Sequence, residues 1–344
     1  MENNIVITGI NGQDGSFLAK NISYLGYKII GIQRPTLNSS QNIYRLKELN
    51  IINKIDFEIL DLNNIKNTDY LLKKYKPVKI FHLGSQSNVV QSNKLINETE
   101  KSNYITTVNF VKSIKKFAKE VKFFYPSSAT IYEGYYDTLV DEDTKPKPFS
   151  VYAKAKHMAQ DYLENEFSNS NLYLRTGIMF SHESEFRGVD FFTRKVSLHL
   201  SNYKKGENKT LLLGDISIKR DIGYAKEYVD AIWKISEKSN YQKYIVSRNK
   251  LYSLTQFIEN CLQVLEINYE IINENNELLV IDKKNNFVLI KSKKRNFRNF
   301  DLKNVQGNNN RINSDLNWRP EINLEKIAEK MISYDLNNVY KFNN

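Results

Sequence analysis

Short apolar runs alternate with longer segments of helical periodicity in the first half of the chain. The apolar runs predicted to be strands are residues 5–8, 28–33, 57–60, 79–83 and 121–125. The segments between them are long enough for helices, so the pattern predicts crossover units and a parallel sheet with helices on both faces. Ligands of such sheets bind at the carboxyl ends of the strands.

The pattern changes near residue 178, where longer helices and short polar strands follow, with a hairpin-like basic stretch at 278–292. A helix of core character returns at 224–235. We therefore expect an α/β fold, a Rossmann-type doubly wound parallel sheet with a smaller, interleaved C-terminal domain. The predicted larger domain comprises 1–178 and about 219–248, and the smaller one about 179–218 and 249–344.

Two motifs contain residues of the types that phosphate binding and acid–base catalysis require. Gly9, Gly12 and Gly15 join the first strand to the first helix, at the spacing that a tight turn and close approach of backbone to a pyrophosphate require. Tyr152 and Lys156 lie one helical turn apart on one helix face, where an ammonium favours the phenolate of its neighbour. Together, in this order, the motifs indicate a nicotinamide-dependent enzyme that interconverts an alcohol and a ketone.

Composition narrows the possible partners. A chain of 344 residues with 41% hydrophobic content can bury a large core. No segment approaches about 20 apolar residues, so we expect no membrane partner and a cytoplasmic location. Cys261 is the only cysteine, and the four histidines are scattered, so no metal site is expected. The net charge of +11 is spread along the chain outside 291–298, which favours solvated surface over nucleic-acid binding.

Further segments carry a likeness to a known family. They are TGINGQDG at 8–15, HLGSQSNV at 82–89, GIMFSHES at 177–184, FTRK at 192–195, LGDISIKRD at 213–221, NFR at 296–298 and LNWRP at 316–320. In these segments and in the Tyr-Lys helix the chain resembles the extended short-chain dehydrogenase/reductases, and within them the GDP-mannose 4,6-dehydratases. The likeness implies that the larger domain binds a nicotinamide dinucleotide and the smaller domain a nucleotide sugar.

The resemblance also implies two sets of binding residues and a homo-oligomer, either a dimer or a tetramer. The cofactor set is Gly9, Asn11, Gly12, Gln13, Asp14, Arg34, Asp61, Leu62, Leu83, Ser85, Gln86, Ser87, Lys156, His182 and Arg187. The set around a GDP-linked sugar is Ser128, Thr176, Lys195, Gly214, Arg220 and Arg298. Arg220 and Arg298 would clamp the diphosphate, because planar guanidinium groups suit two-point phosphate contacts.

The catalytic segment departs from the family. Where the dehydratases carry threonine, serine and glutamate, this chain has Ser128, Ala129 and Thr130. Dehydration needs removal of hydride from C4, loss of the C5 proton and protonation of the departing C6 hydroxyl. Ser128, Tyr152 and Lys156 suit the first event only, and losing a positioned acid or base commonly costs about 10²- to 10⁴-fold in rate. The segment also resembles the active-site strand of UDP-galactose 4-epimerases.

We therefore expect an NAD(P)-dependent oxidoreductase acting at C4 of a GDP-linked sugar, of the GDP-mannose or GDP-manno-heptose type. Its product would be a 4-keto sugar, a C4 epimer or a reduced 4-keto sugar, without dehydration. One alternative is dehydration with a carboxylate relocated to Glu133, Glu142 or Glu183, although Glu133 on an extended segment would face away from Thr130. The other is a non-catalytic subunit that binds nucleotide sugar, which would have no need of the Tyr-Lys pair.

Arg34 generates a prediction about the cofactor. It directly follows the second predicted strand, where an NAD site usually has an acidic residue, so a guanidinium there favours the 2′-phosphate of NADP, with NAD as the alternative. Where the family usually has a second arginine this chain has Pro35, and where the family usually has a tyrosine this chain has Glu98.

Arg34→Ala should weaken NADP binding by about tenfold or more and leave NAD binding nearly unchanged. Dissociation constants of both cofactors measure this, and wild type that binds NAD as tightly as NADP would refute it.

Overall fold

The computed structural model describes residues 3–35, 43–87, 89–274, 277–293 and 304–338. The strands are β1 (Asn4–Thr8), β2 (Lys28–Gln33), β3 (Ile55–Ile59), β4 (Lys79–His82), β5 (Lys122–Ser128), β6 (Leu139–Val140), β7 (Leu174–Met179), β8 (Ser181–Glu183), β9 (Leu211–Leu213), β10 (Lys219–Tyr224), β11 (Lys243–Val246), β12 (Leu251–Ser253), β13 (Tyr269–Glu274), β14 (Glu277–Asp282), β15 (Phe287–Lys293) and β16 (Gln306–Gly307).

The α-helices are α1 (Gln13–Ile22), α2 (Tyr44–Glu48), α3 (Ile65–Tyr75), α4 (Val89–Lys94), α5 (Ile96–Glu100), α6 (Thr106–Phe117), α7 (Val151–Ser168), α8 (Phe192–Lys204), α9 (Ala225–Glu237), α10 (Leu254–Val264), α11 (Asn310–Leu316) and α12 (Leu324–Asn337). Short 3₁₀ turns span Ile52–Lys54 and Ala129–Tyr132, and a π-helical turn spans Lys101–Ile105. None of these helices, within the described ranges, is both long and apolar enough to cross a membrane.

Seven strands of the described chain form one parallel sheet in the order β3-β2-β1-β4-β5-β7-β11. Ile5, Val6 and Ile7 of β1 are fully buried, because the sheet is covered on both faces. The strands predicted from the sequence correspond to β1 to β5, and the doubly wound Rossmann-type fold is confirmed.

The end of β5 differs from the prediction in a way that bears on the site. β5 pairs with β4 only as far as Phe124, but it continues beside β7 to Ser128. Pro126 is tolerated because the β4 side of the strand no longer needs its missing N–H at that point. The strand therefore carries Ser128 to the carboxyl edge of the sheet.

A second hydrophobic core lies in the C-terminal half, where α8, α10 and α12 contribute Val196, Phe257 and Met331. The sheet β13-β14-β15-β9 packs in the same cluster, and its antiparallel β14 and β15 confirm the hairpin expected near 278–292. Helix α9 packs with the first core, as its pattern predicted. Trp318 also belongs to the first core, so residues beyond 249 contribute to both. The proposed domain boundaries stay a prediction.

Candidate active site

A cavity of about 1430 Å³ opens at the carboxyl ends of β1 to β5. The sequence-predicted residues that line it are Gly9, Asn11, Gly12, Gln13, Asp14, Arg34, Asp61, Leu62, Leu83, Ser85, Ser87, Ser128, Thr130, Tyr152, Lys156, His182, Arg187, Gly214 and Arg220. Residues far apart in sequence meet there, at the edge where ligands of doubly wound sheets bind. Arg298 lies outside the described residues.

Three predicted residues are not among the described residues that line this cavity. Thr176 is fully buried in β7, and its hydroxyl accepts a hydrogen bond from Gln242 Nε2 at 3.1 Å. Lys195 is exposed on the first turn of α8. Gln86 is held by Asn103, whose Oδ1 accepts from the Gln86 N–H at 2.8 Å and whose Nδ2 donates to the Gln86 carbonyl at 3.0 Å. Gln86 thus fixes the loop after β4, and its neighbours line the cavity.

The turn between β1 and α1 fits the pyrophosphate of a dinucleotide. Gly9 has a φ of +67°, and a Cβ there would lie 2.8 Å from the Cα of Gly84, so only glycine is compatible. The Gly84 N–H donates to Thr8 Oγ1 at 2.8 Å, which ties the ends of β1 and β4 together. Gly12 is the N-cap residue of α1, so no side chain accepts a hydrogen bond there from the first N–H groups of the helix. A tight glycine turn before such a helix N-terminus is the arrangement that phosphate groups require.

Asp14 and His182 form an ion pair across the cavity wall. His182 Nε2 lies 3.0 Å from Asp14 Oδ2, and His182 Nδ1 lies 2.6 Å from the Phe180 carbonyl oxygen. Burial alone would raise the pKa of Asp14, but the attraction and hydrogen bond of His182 lower it to about 2. Burial opposes the charged imidazole, yet Asp14 raises the pKa of His182. The pair joins the first turn of α1 to β8.

Arg34 stands at the cavity rim with acidic neighbours. Its side chain is exposed, and the carboxylates of Asp61 and Glu98 attract its charge. The residue before it, Gln33, donates from Nε2 to Asn11 Oδ1 at 3.1 Å. A phosphate that binds Arg34 must therefore tolerate two nearby carboxylates.

Tyr152 and Lys156 lie in α7 and are both buried. Lys156 Nζ donates to the Pro126 carbonyl at 2.8 Å and lies 6.0 Å from the centre of the Tyr152 ring. Burial lowers the pKa of Lys156 to about 7, against the attraction of Asp14. Burial also raises the pKa of Tyr152, against a hydrogen bond with Ser128 and the charge of Arg187. The phenol pKa is therefore raised and not lowered as expected, because burial outweighs the charge of Arg187.

The segment after β5 is a turn, and the expectation that it is extended is wrong. Ala129–Tyr132 form a 3₁₀ turn because Ser128 Oγ accepts from the Thr130 N–H at 3.3 Å and caps its start. The Thr130 hydroxyl donates to the same oxygen at 3.0 Å. Since the turn reverses the chain, Glu133 and Thr130 line the same cavity and do not point to opposite faces.

The three carboxylates considered as relocated bases all accept hydrogen bonds from other groups of the protein. Glu133 accepts from the Ser150 N–H at 2.8 Å, at the start of α7. Glu183 accepts from the Thr193 hydroxyl at 2.5 Å and pairs with Arg187 at 3.2 Å. Glu142 accepts from the Ile245 N–H at 2.7 Å and is not among the described cavity residues. Glu142 is therefore too remote for this role.

Sequence reasoning missed two residues that shape the site. Arg45 donates to the carbonyls of Asn11, at 2.9 Å, and Phe186, at 2.8 Å, and so ties the glycine turn to the segment after β8. His82 lies between Thr8, at 2.9 Å, and Thr106, at 3.0 Å, and burial lowers its pKa to about 3. His82 begins the family-like segment 82–89 but was not assigned to the site, and no local signal marked Arg45.

The Asp14–His182 pair predicts a pH-dependent stability. The pKa of Asp14 is lowered to about 2, so its carboxylate stabilises the fold at pH values above the ordinary aspartate pKa, and this stabilisation is lost as the pH falls toward 2. The pKa of His182 is raised, so its imidazolium stabilises the fold at pH values below the ordinary histidine pKa, and this stabilisation is lost as the pH rises through the raised pKa. Asp14→Asn should therefore cost up to about 2 kcal/mol between about pH 4 and about pH 6.5, and less outside that window.

Thermal unfolding across pH measures this effect, with Asp161→Asn on the exposed face of α7 as the control. A destabilisation by Asp14→Asn that is the same at all pH values would contradict the ion pair.

The chain is similar to known proteins over nearly its whole length. The family model for GDP-mannose 4,6-dehydratase matches residues 6–331. The GDP-mannose 4,6-dehydratase of Vibrio cholerae is 30% identical over 353 residues, covering 98% of this chain and 94% of that protein. The corresponding protein of Cricetulus griseus is 28% identical over 339 residues, covering 96% and 91%.

A solved structure has the same fold. The dTDP-glucose 4,6-dehydratase of Bacillus anthracis, in complex with NAD, matches with a TM-score of 0.79 at 18% identity and covers 97% of each chain. The family model covers nearly the whole chain, and the solved structure shares its fold. The chain therefore belongs to the GDP-mannose 4,6-dehydratase family, whose members are NAD(P)-dependent nucleotide-sugar enzymes of the extended short-chain dehydrogenase/reductase type.

Proposed function

We propose that this chain uses NADP, or NAD, to oxidise or reduce C4 of a GDP-linked sugar, of the GDP-mannose or GDP-manno-heptose type, without eliminating water. The product is a 4-keto sugar, a C4 epimer or a reduced 4-keto sugar. One observation carries the proposal: the Thr130 hydroxyl donates to Ser128 at 3.0 Å, at the position where the family is expected to hold its catalytic glutamate.

Proton transfer at C4 is assigned to three residues. Ser128 ends β5, lines the cavity with Tyr152 and favours the ionised phenol, so it is suited to orient the sugar 4-hydroxyl. Tyr152 takes the hydroxyl proton during oxidation and returns it during reduction. Lys156 is anchored on the Pro126 carbonyl, 6.0 Å from the centre of the phenol ring, and in its charged form it favours the phenolate. The bound nicotinamide supplies the hydride acceptor or donor.

Dehydration would require further groups at C5 and C6. A threonine hydroxyl is a far weaker base than a carboxylate, so Thr130 does not replace one. Among the carboxylates whose charge acts on Tyr152, Glu133 is bonded to Ser150 and Asp14 to His182. Elimination should therefore be slower by about 10²- to 10⁴-fold than with a positioned acid or base.

The substrate class is inferred from the family and from the far end of the cavity. The two relatives compared above are named for GDP-mannose. Arg220 of β10 and Gly214 line the cavity on the side of the second core, and a guanidinium there suits a diphosphate. We assign Arg220 to diphosphate binding, and Arg298, expected to act with it, lies outside the described residues.

A second candidate, 4,6-dehydration with a relocated carboxylate, is favoured by one observation. Glu133 lines the same cavity as Thr130. Its hydrogen bonds to the start of α7 weigh against it, because a base that moves a proton at C5 must release those donors. A non-catalytic binding subunit is disfavoured by the buried Tyr152 and Lys156, since burial of a lysine is costly without a use.

The missing base predicts the fate of the C5 hydrogen. In deuterated water with GDP-mannose and NADP, wild type should exchange hydride at C4 without placing deuterium at C5 within a turnover. Thr130→Glu should introduce some C5 label, because it restores a carboxylate at the turn, whereas the neutral Thr130→Gln should not. Proton NMR of the recovered sugar measures the label. Rapid formation of a C5-labelled 4-keto-6-deoxy sugar by wild type would overturn the proposal.

A further inference from the structure

The carboxylate of Glu133 is buried at the start of the helix that carries Tyr152. Glu133 follows the 3₁₀ turn Ala129–Tyr132 and is only 3% exposed. Its Oε2 accepts from the N–H groups of Phe149, at 3.2 Å, and Ser150, at 2.8 Å, and its Oε1 accepts from the Ser150 hydroxyl at 2.8 Å. The carboxylate therefore satisfies backbone donors just ahead of α7.

Ser150 connects this carboxylate to the helix itself. As the N-cap of α7, Ser150 accepts from the Ala153 N–H at 3.1 Å while its own hydroxyl proton is donated to Glu133. Tyr152 lies in the first turn of the same helix. A negative charge beside a helix N-terminus also stabilises that end of the helix. The location of the phenol thus depends on the contact between Glu133 and Ser150.

The same carboxylate acts on the phenol through its charge. Glu133, Thr130 and Tyr152 all line the cavity. Burial opposes ionisation of Tyr152 most strongly, and the charges of Glu133 and Asp14 add to it, while Ser128 and the charge of Arg187 favour ionisation. Further titratable neighbours are Tyr125 of β5, which interacts with Tyr152 electrostatically, and Lys156 on the same helix.

We propose that Glu133 is a positioning residue for proton transfer at C4: it fixes the start of α7 and holds a negative charge beside the Tyr152 phenol. This rests on the proposed role of Tyr152, but not on whether water is eliminated, because dehydration and simple redox both begin with oxidation at C4. The charge favours the protonated phenol, so Glu133 biases the site toward giving a proton to a ketone.

Removal of the charge has a defined sign. Without the Glu133 carboxylate, ionisation of the Tyr152 phenol requires less free energy, so the pKa of Tyr152 falls. Oxidation at C4 uses the phenolate as the base, so its rate rises with pH through that pKa. Glu133→Gln should therefore shift the midpoint of this rise to lower pH by about half a unit to one unit.

The first test is the pH profile of NADP reduction by the purified protein, with GDP-mannose as the probe substrate. Glu133→Gln should shift the midpoint downward. Glu133→Asp and Ser150→Ala keep the negative charge at residue 133 but alter its hydrogen bonds to the start of α7. They should therefore lower kcat by about tenfold and leave the midpoint of the pH profile unchanged. The matched control is Glu142→Gln, because Glu142 is equally buried and bonds a backbone N–H but is not among the described cavity residues.

A second measurement needs no turnover. In protein labelled at the tyrosine Cζ carbons, the Tyr152 resonance is identified by its loss in Tyr152→Phe, and its titration gives the phenol pKa directly. The resonance should titrate at lower pH in Glu133→Gln than in wild type. Equal titration in both proteins would overturn the proposal, whereas the mass of the sugar product tests only the proposed reaction. Binding of NADP by each variant verifies that it is folded.

Discussion

Contacts of β5 and of the turn after it with the first turns of α7 hold the proposed catalytic groups in one place. Lys156 donates to the Pro126 carbonyl, Glu133 accepts from the Ser150 N–H, and Ser128 favours the ionised form of Tyr152. These contacts exist because β5 stays paired with β7 as far as Ser128 and the chain then turns sharply. A parallel sheet whose strands end together supplies the cavity, and the contacts between β5 and α7 give it its chemistry.

Burial sets the electrostatics of this site. It raises the pKa of Tyr152 and lowers that of Lys156 to about 7, so both groups are driven toward their neutral forms. Asp14 and His182 compensate each other's charge at the wall, and Arg187 is the cation that favours the phenolate. The ionisation of the site therefore depends on the balance of a few charges.

Periodicity was sufficient to predict the framework. The five strands β1 to β5, the glycine turn and the β14–β15 hairpin follow from local apolar patterns and turn residues. The contacts of Arg45 could not be predicted, because its partners Asn11 and Phe186 come together only in the folded chain. Thr176 was assigned by resemblance to substrate binding, but it is fully buried in β7, which lies between β5 and β11 in the sheet.

The turn at Ala129–Tyr132 was mistaken for strand because its cap is a side chain, Ser128, that closes on its own backbone. That error concealed the location of Glu133 in the cavity. The central claim, redox at C4 without dehydration, is tested most directly by mass spectrometry of the sugar nucleotides formed from a panel of GDP-sugars. Products of unchanged mass or differing by two hydrogens are expected, and a product lighter by one water would contradict redox without dehydration.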